Sequence, residues 1–182
     1  GDVGPLSQEE AVRWIEQGPA PPRDVNDGGR GAIGTDIVVG WDTATGTARG
    51  LDGSGVRVSV MEGNAGYSDR AADYRHPDFG SRFAYTYTNQ FSDHTTHVAG
   101  IIGADGSESA GAGGTADQWR GHAPGVTLIS VPYSFDTEEH YHTAINDNGA
   151  DLSNHSYIME DVVYSALVAG VDTIARGDAT YG

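Results

Sequence analysis

The 182-residue chain contains no cysteine and no lysine. Without cysteine there can be neither disulfides nor thiolate metal ligands, an absence that is neutral about compartment. Without lysine, all ten basic side chains are arginines, set against 26 acidic ones for a formal charge of −16. Such a surplus repels phosphate backbones and anionic bilayers, so neither nucleic acid nor a membrane is an expected partner; it reads as a solvated surface that keeps the protein soluble or salt-tolerant. Long apolar runs are missing too, since no stretch approaches the ~18 residues that span a bilayer. The residues from Gly1 to Gly4 carry neither the basic n-region nor the apolar h-region of a secretory signal, as expected of a chain that never had one or has been processed.

What is present suffices for one core. Hydrophobic residues make up 37% and charged residues 20%, and the length bounds the chain to one domain with a small extension. Glycines cluster at 28–34, 46–55, 103–114 and 177–182, punctuating short elements. The run from Gly103 to Gly114 predicts a loop rather than a phosphate cradle, because no lysine accompanies it.

Residues 1–50 read as an N-terminal arm. Ser7 and Glu10 form a capping box before a short helix carrying Ala11, Val12, Trp14 and Ile15, ended by Gly18 and the prolines that follow. From Pro21 to Gly50 the pattern is loop-like, with one strand expected at Asp36–Trp41. The core pattern starts at Val56, where Val56, Val58 and Val60 alternate with Arg57 and Ser59 and deliver Glu62 at the strand's C-terminal end. Further strands are predicted at Phe83–Thr88, Val126–Val131 and Asp151–Ser156. Helices are predicted around His97, Val98, Ile101 and Ile102, after the capping box of Asp136 and Glu139 with Tyr141, Ala144 and Ile145 on one face and Gly149 as terminator, and over Tyr164–Arg176. Strands alternating with helices imply an α/β fold with a mainly parallel sheet, whose ligands sit at the carboxyl ends of its strands. Glu62 lies at such an end.

The segment from Asp93 to Ile102 (DHTTHVAGII) carries the most chemistry. His94 and His97, three apart on a helix, could share a metal if a third ligand joined them. Equally, His94 could act as a general base at the helix start while His97 packs one turn later. Among weaker signals, the stretch from Glu138 to His142 reads as a solvated helix face, since His140 and His142 do not face one another on a helix. Asp24, Asn26 and Asp27 with Gly28 and Gly29 form an incomplete version of a calcium loop. Asn154-His155-Ser156 has the glycosylation pattern, but a buried strand end argues against its use.

The segment at 93–102 resembles the His-Gly-Thr-His-Val-Ala-Gly signature of subtilisin-like serine peptidases. Upstream, residues 53–62 (GSGVRVSVME) are similar to that family's Gly-x-Gly-Val strand ending in Asp, and His76-Pro77-Asp78-Phe79 resembles a second element. Downstream, Gly121-His122-Ala123-Pro124 resembles its Gly-x-Ala-Pro turn, and Gly149-Ala150-Asp151 with Ser153–Tyr157 resembles the segment ending in Ser-(Trp/Leu)-Gly. These five elements stand in family order across residues 51–157. The arm residues Asn26, Asp27 and Arg30, with Tyr164, Val171 and Asp172, look most like the longer multidomain bacterial subtilases.

The resemblance implies a subtilisin-like three-layer fold, incomplete here, with residues 51–182 as the N-terminal portion of the catalytic domain. It implies a secreted serine endopeptidase that hydrolyses peptide bonds by acyl transfer. His94 matches the general base and Glu62 stands where the family has an orienting Asp, its carboxylate accepting from imidazole Nδ1–H. Ser156 and Tyr157 match the strand that pairs with an extended substrate. A structural calcium ion is implied, at no particular residues, and no metal takes part in the chemistry. Four positions depart from the pattern: Glu62, Asn64 for the Gly two residues after the acid, Thr95 for Gly, and Ile158 for the Gly after the substrate strand. No Gly-Thr-Ser occurs, and Ser92, Ser130, Ser134 and Ser153 lack a nucleophile context. The nucleophile and oxyanion Asn are therefore expected on a C-terminal or companion segment of the same precursor. Without that segment the chain should be inactive and show an unpaired, aggregation-prone sheet edge. The alternative is an inactive pseudoprotease that binds peptides or regulates.

Overall fold

The computed structural model describes residues 26–42, 47–48, 50–62, 70–132, 137–157 and 166–177. In chain order the elements are helices α1 (Asn26–Ile33) and α2 (Thr35–Val39), then the antiparallel pair β1 (Trp41–Asp42) and β2 (Thr47–Ala48). Strand β3 (Arg57–Glu62) follows, then a 3₁₀ turn at Pro77–Phe79, β4 (Phe83–Thr86), α3 (Asp93–Gly103) and β5 (Thr127–Pro132). Helix α4 (Thr137–His142) runs into a π turn at Thr143–Asp147, and β6 (Leu152–Asn154) and α5 (Ala166–Ala175) complete the set. The helix expected at Ala11–Ile15 lies outside the described residues, as do Asp136 and Tyr164. No helix among the described residues is long and apolar enough to cross a membrane.

The main sheet has the order β4-β5-β3-β6, and every neighbouring pair is parallel. Alternation along β3 and β5 divides the core in two. Val58, Val60 and Leu128 pack with Val98, Ala99 and Phe79 on the side of α3. Met61, Ile129 and Val131 pack with Tyr141 and Ala144, joined by Val171 and Ile174 of α5. Helices thus cover both faces of a parallel sheet, the mixed α/β three-layer arrangement expected from the sequence. Because Val58 and Val60 face α3, Glu62 faces it as well.

Two expectations fail in the chain before β3 and in α4. Where the sequence predicts a loop and then a strand at Asp36–Trp41, the chain forms α1 and α2, separated by Gly34 at φ +76°. The β-propensity of Ile37-Val38-Val39 is overridden by a distant tie. The buried Arg30 side chain bonds Asp36 at 3.0 Å and donates to the carbonyls of Gln118 and Arg120. Residues Asn26–Gly29 belong to α1, and Asp24 lies outside the described residues. In α4, Glu139 is exposed, but His140 is buried rather than solvated; Tyr141 and Ala144 are buried, as their shared helix face predicts, whereas Ile145 is 42% exposed. Tyr141 fills the core beside Met61, and His140 meets Tyr87 edge-on at 5.1 Å.

The C-terminal end of α3 is sealed by the next turn of chain. The N–H groups of Gly121, His122 and Ala123 donate to the carbonyls of Ala104, Ile101 and Ile102, satisfying groups that a helix end leaves open. Arg82 gathers the same region from below, donating to the carbonyls of Asp78, Gly103 and Pro124.

Candidate active site

Glu62 ends β3 with its side chain wholly inaccessible to solvent. A buried carboxylate is tolerable only when its oxygens are paired, and here three donors meet it. Oε1 accepts from Asn154 Nδ2 at 2.9 Å and from the Ser156 N–H at 2.5 Å. Oε2 lies 3.3 Å from His94 Nε2. The sheet register explains the first two contacts. Val60 pairs with Asn154 as the ladder ends, so two residues further on Glu62 comes opposite Ser156.

His94 is placed by the start of α3. Ser92 is the N-cap, its Oγ accepting from the Thr95 N–H at 3.3 Å and its carbonyl from the Thr96 hydroxyl at 2.7 Å. Ser92 is itself pinned to the sheet side of the molecule, its N–H donating to Ala71 O while the Ala72 N–H donates to Ser130 Oγ. The first turn of α3 therefore stands over the carboxyl end of β3. The imidazole of His94 is 43% exposed, open on the side away from Glu62.

The structure brings Glu62 and His94 together, but through Nε2 rather than the Nδ1 that the resemblance implied. We attribute this to the extra methylene of Glu, which carries the carboxyl past the near edge of the ring to its far nitrogen. Nδ1 then remains as the nitrogen able to receive a proton. His97 does not share this contact, and among the described residues no group of three or more His, Asp or Glu is placed to hold a metal ion.

Ser156 is exposed, yet its N–H is committed to Glu62 and its Oγ accepts from Asn154 Nδ2 at 2.9 Å. Tyr157 turns its hydroxyl onto His155 Nδ1 at 2.9 Å. The sequence places Asn154 in a strand, in the Ser153–Tyr157 element and in a glycosylation pattern, but gives it no part in the site; its amide donates to Glu62 and Ser156. The signal that could have found it was the strand alternation that puts 154 and 156 on one face. Among the described residues no serine hydroxyl bonds His94. Ser92 caps α3, Ser130 bonds Ala72, and Ser153 Oγ lies 3.0 Å from His155 instead. Asn64, Ile158 and Ser134 lie outside the described residues.

Thr95 is fully buried beside His94, and its hydroxyl has no partner among the described residues. An orphaned buried hydroxyl costs about 1–3 kcal/mol. Thr95→Val, which keeps the shape and removes the polar atom, is expected to raise the urea midpoint by an amount equivalent to about 1 kcal/mol.

The family model for the subtilase family, peptidase S8, matches residues 51–177. No curated protein matches the chain.

Proposed function

Because the chain belongs to the subtilase family, we propose that it supplies the acid and base of a serine endopeptidase, Glu62 and His94, while the nucleophilic serine comes from a C-terminal or companion segment of the same precursor. The observation that carries this reading is a buried carboxylate, anchored by two other donors, turned onto a half-exposed imidazole at a strand's carboxyl end. With Nε2–H donating to Glu62, Nδ1 of His94 takes the proton of the serine hydroxyl as its oxygen attacks the peptide carbonyl. Glu62 stabilises the imidazolium so formed. The ring then gives that proton to the leaving amine, and water repeats the sequence on the acyl-enzyme. An extended substrate lies against Ser156 and Tyr157. Since the Ser156 N–H is taken, the Ser156 carbonyl is the main-chain group that accepts from the substrate's N–H.

The seat of the serine-bearing segment is proposed as the α3 side of β3 and β6. An apolar groove of about 690 Å³ runs there between Leu51, Val58, Ile102, Val126 and Leu152, and it reaches Asn154, which holds Glu62. Leu152 is 60% exposed, and β6 pairs only with β3 among the described strands. Secretion and a structural calcium ion belong to the same proposal; no described residues are assigned to the ion, and no step runs through it.

The pseudoprotease reading is favoured by one observation, the Nε2 rather than Nδ1 contact. Labelling by a fluorophosphonate separates the two. Covalent modification of the serine-bearing segment, lost in His94→Ala, is the expected result; no labelling of the complete protein at any pH favours the peptide-binding module.

A further inference from the structure

α1 and α2 are anchored to the rest of the domain through polar groups. The buried Arg30 side chain bonds Asp36 and the carbonyls of Gln118 and Arg120, and Thr35 Oγ1 lies 2.9 Å from His122 Nδ1. Their apolar side chains, by contrast, face outward: α2 buries no residue at all, Ile33 is 72% exposed and Ile37 60%, and Val38 is exposed as well. Leu51, 67% exposed, joins them because its N–H donates to Val38 O at 3.2 Å. Ile37 leans back toward Ile33, its Cδ1 lying 3.9 Å from where a Cβ on Gly34 would stand. Single exposed apolar side chains are ordinary, but four large ones gathered at one place mark a contact surface.

The sequence carries a matching apolar face just upstream. In the helix expected over residues 7–17, Ala11, Trp14 and Ile15 stand at i, i+3 and i+4 with Val12 beside them, while Glu9, Glu10, Arg13 and Glu16 take the other side. A helix that short is marginal by itself and gains its stability by packing an amphipathic face. Residues 18–25, with Pro19, Pro21 and Pro22, join it to α1; at the rise of a proline-rich linker they span up to about 25 Å. α1 is only about 12 Å long, so Ile33 at its far end lies well within reach. A tether of this length holds the two faces at an effective concentration in the millimolar range. A second copy of the chain competes poorly for the same surface, because it brings its own charge of −16 against −16.

We propose that residues 7–17 dock as a helix on the surface of Ile33, Ile37, Val38 and Leu51, apolar face inward and carboxylates to solvent, so that the N-terminal arm covers the α1–α2 face of its own chain. This docking does not rest on the endopeptidase reading. The test reads Trp14 in the complete protein, as the difference in emission between the unaltered chain and Trp14→Phe. Trp14 is expected to emit to the blue of a solvated indole and to be quenched by acrylamide several-fold less. Ile33→Glu combined with Ile37→Glu should return both properties to those of a solvated indole and lower the urea midpoint. On an uncovered face the same pair of charges would leave Trp14 and the midpoint as they are. Ile15→Glu, on the arm itself, should expose Trp14 in the same way and supplies the test should the paired variant not fold. A Trp14 that is solvated in the unaltered protein, or shielded to the same degree in the variants, overturns the proposal. Shielding that disappears on dilution, with a matching fall in sedimentation coefficient, overturns it too by giving the face to a second copy.

Discussion

Glu62→Gln is expected to slow fluorophosphonate labelling of the complete protein by about 10⁴-fold, the scale of loss when the orienting acid of a serine triad becomes an amide. The reason is in the partners of the two oxygens. Oε1 receives two donors, Asn154 Nδ2 and the Ser156 N–H, and only an acceptor can stay there. A glutamine must therefore keep its oxygen on that side and turn its NH₂ toward His94 Nε2. The imidazole then has to accept at Nε2 and carry its proton on Nδ1, the nitrogen that should be receiving one. Little stability should be lost, because every polar atom still has a partner. Glu62→Asp keeps the charge and should cost far less activity. A Gln variant that labels as fast as the unaltered protein would remove Glu62 from the mechanism.

The largest structural effect is expected at Gly121. A Cβ there would stand 2.6 Å from Gly100 O and 2.8 Å from both Gly103 N and Ile102 C. All three are backbone atoms of α3, which cannot swing aside as a side chain can. Gly121→Ala must push the chain off the helix end, breaking the bonds that Gly121, His122 and Ala123 make to it. A loss of about 3–5 kcal/mol is expected, toward the upper end for single substitutions, read as a fall in the urea midpoint. Since α3 carries His94, labelling should fall in parallel.

The contrast between these two positions shows what could be read from the sequence. The pairing of Glu62 with His94 was legible only through the resemblance to a family signature; strand alternation by itself placed Glu62 at the end of β3 and left the role of His94 open. The sheet strands were legible from that alternation, since β3 and β5 are buried on both faces and their apolar alternation is continuous. The partners of Asn154 and His155 were not, because they arise from register and packing between distant segments; Asn154 meets Glu62 across 92 residues. The two helices before β3 were misread for a related reason. Ile37-Val38-Val39 has the composition of a strand, and only the reach of Arg30 to Gln118 and Arg120, about ninety residues on, decides otherwise. Likewise the nitrogen of His94 that meets Glu62 depends on side-chain length at a three-dimensional junction.

Arg82 has a bearing on how the protein tolerates its surroundings. Its guanidinium binds the carbonyls of Asp78, Gly103 and Pro124, with Asp105 3.9 Å away. Three convergent main-chain oxygens around a positive charge do the work of a bound ion at a loop junction, but the charge is covalently tethered. A chelator cannot withdraw it and dilution cannot empty it. The junction under the carboxyl end of α3 should therefore hold its shape in media stripped of divalent cations.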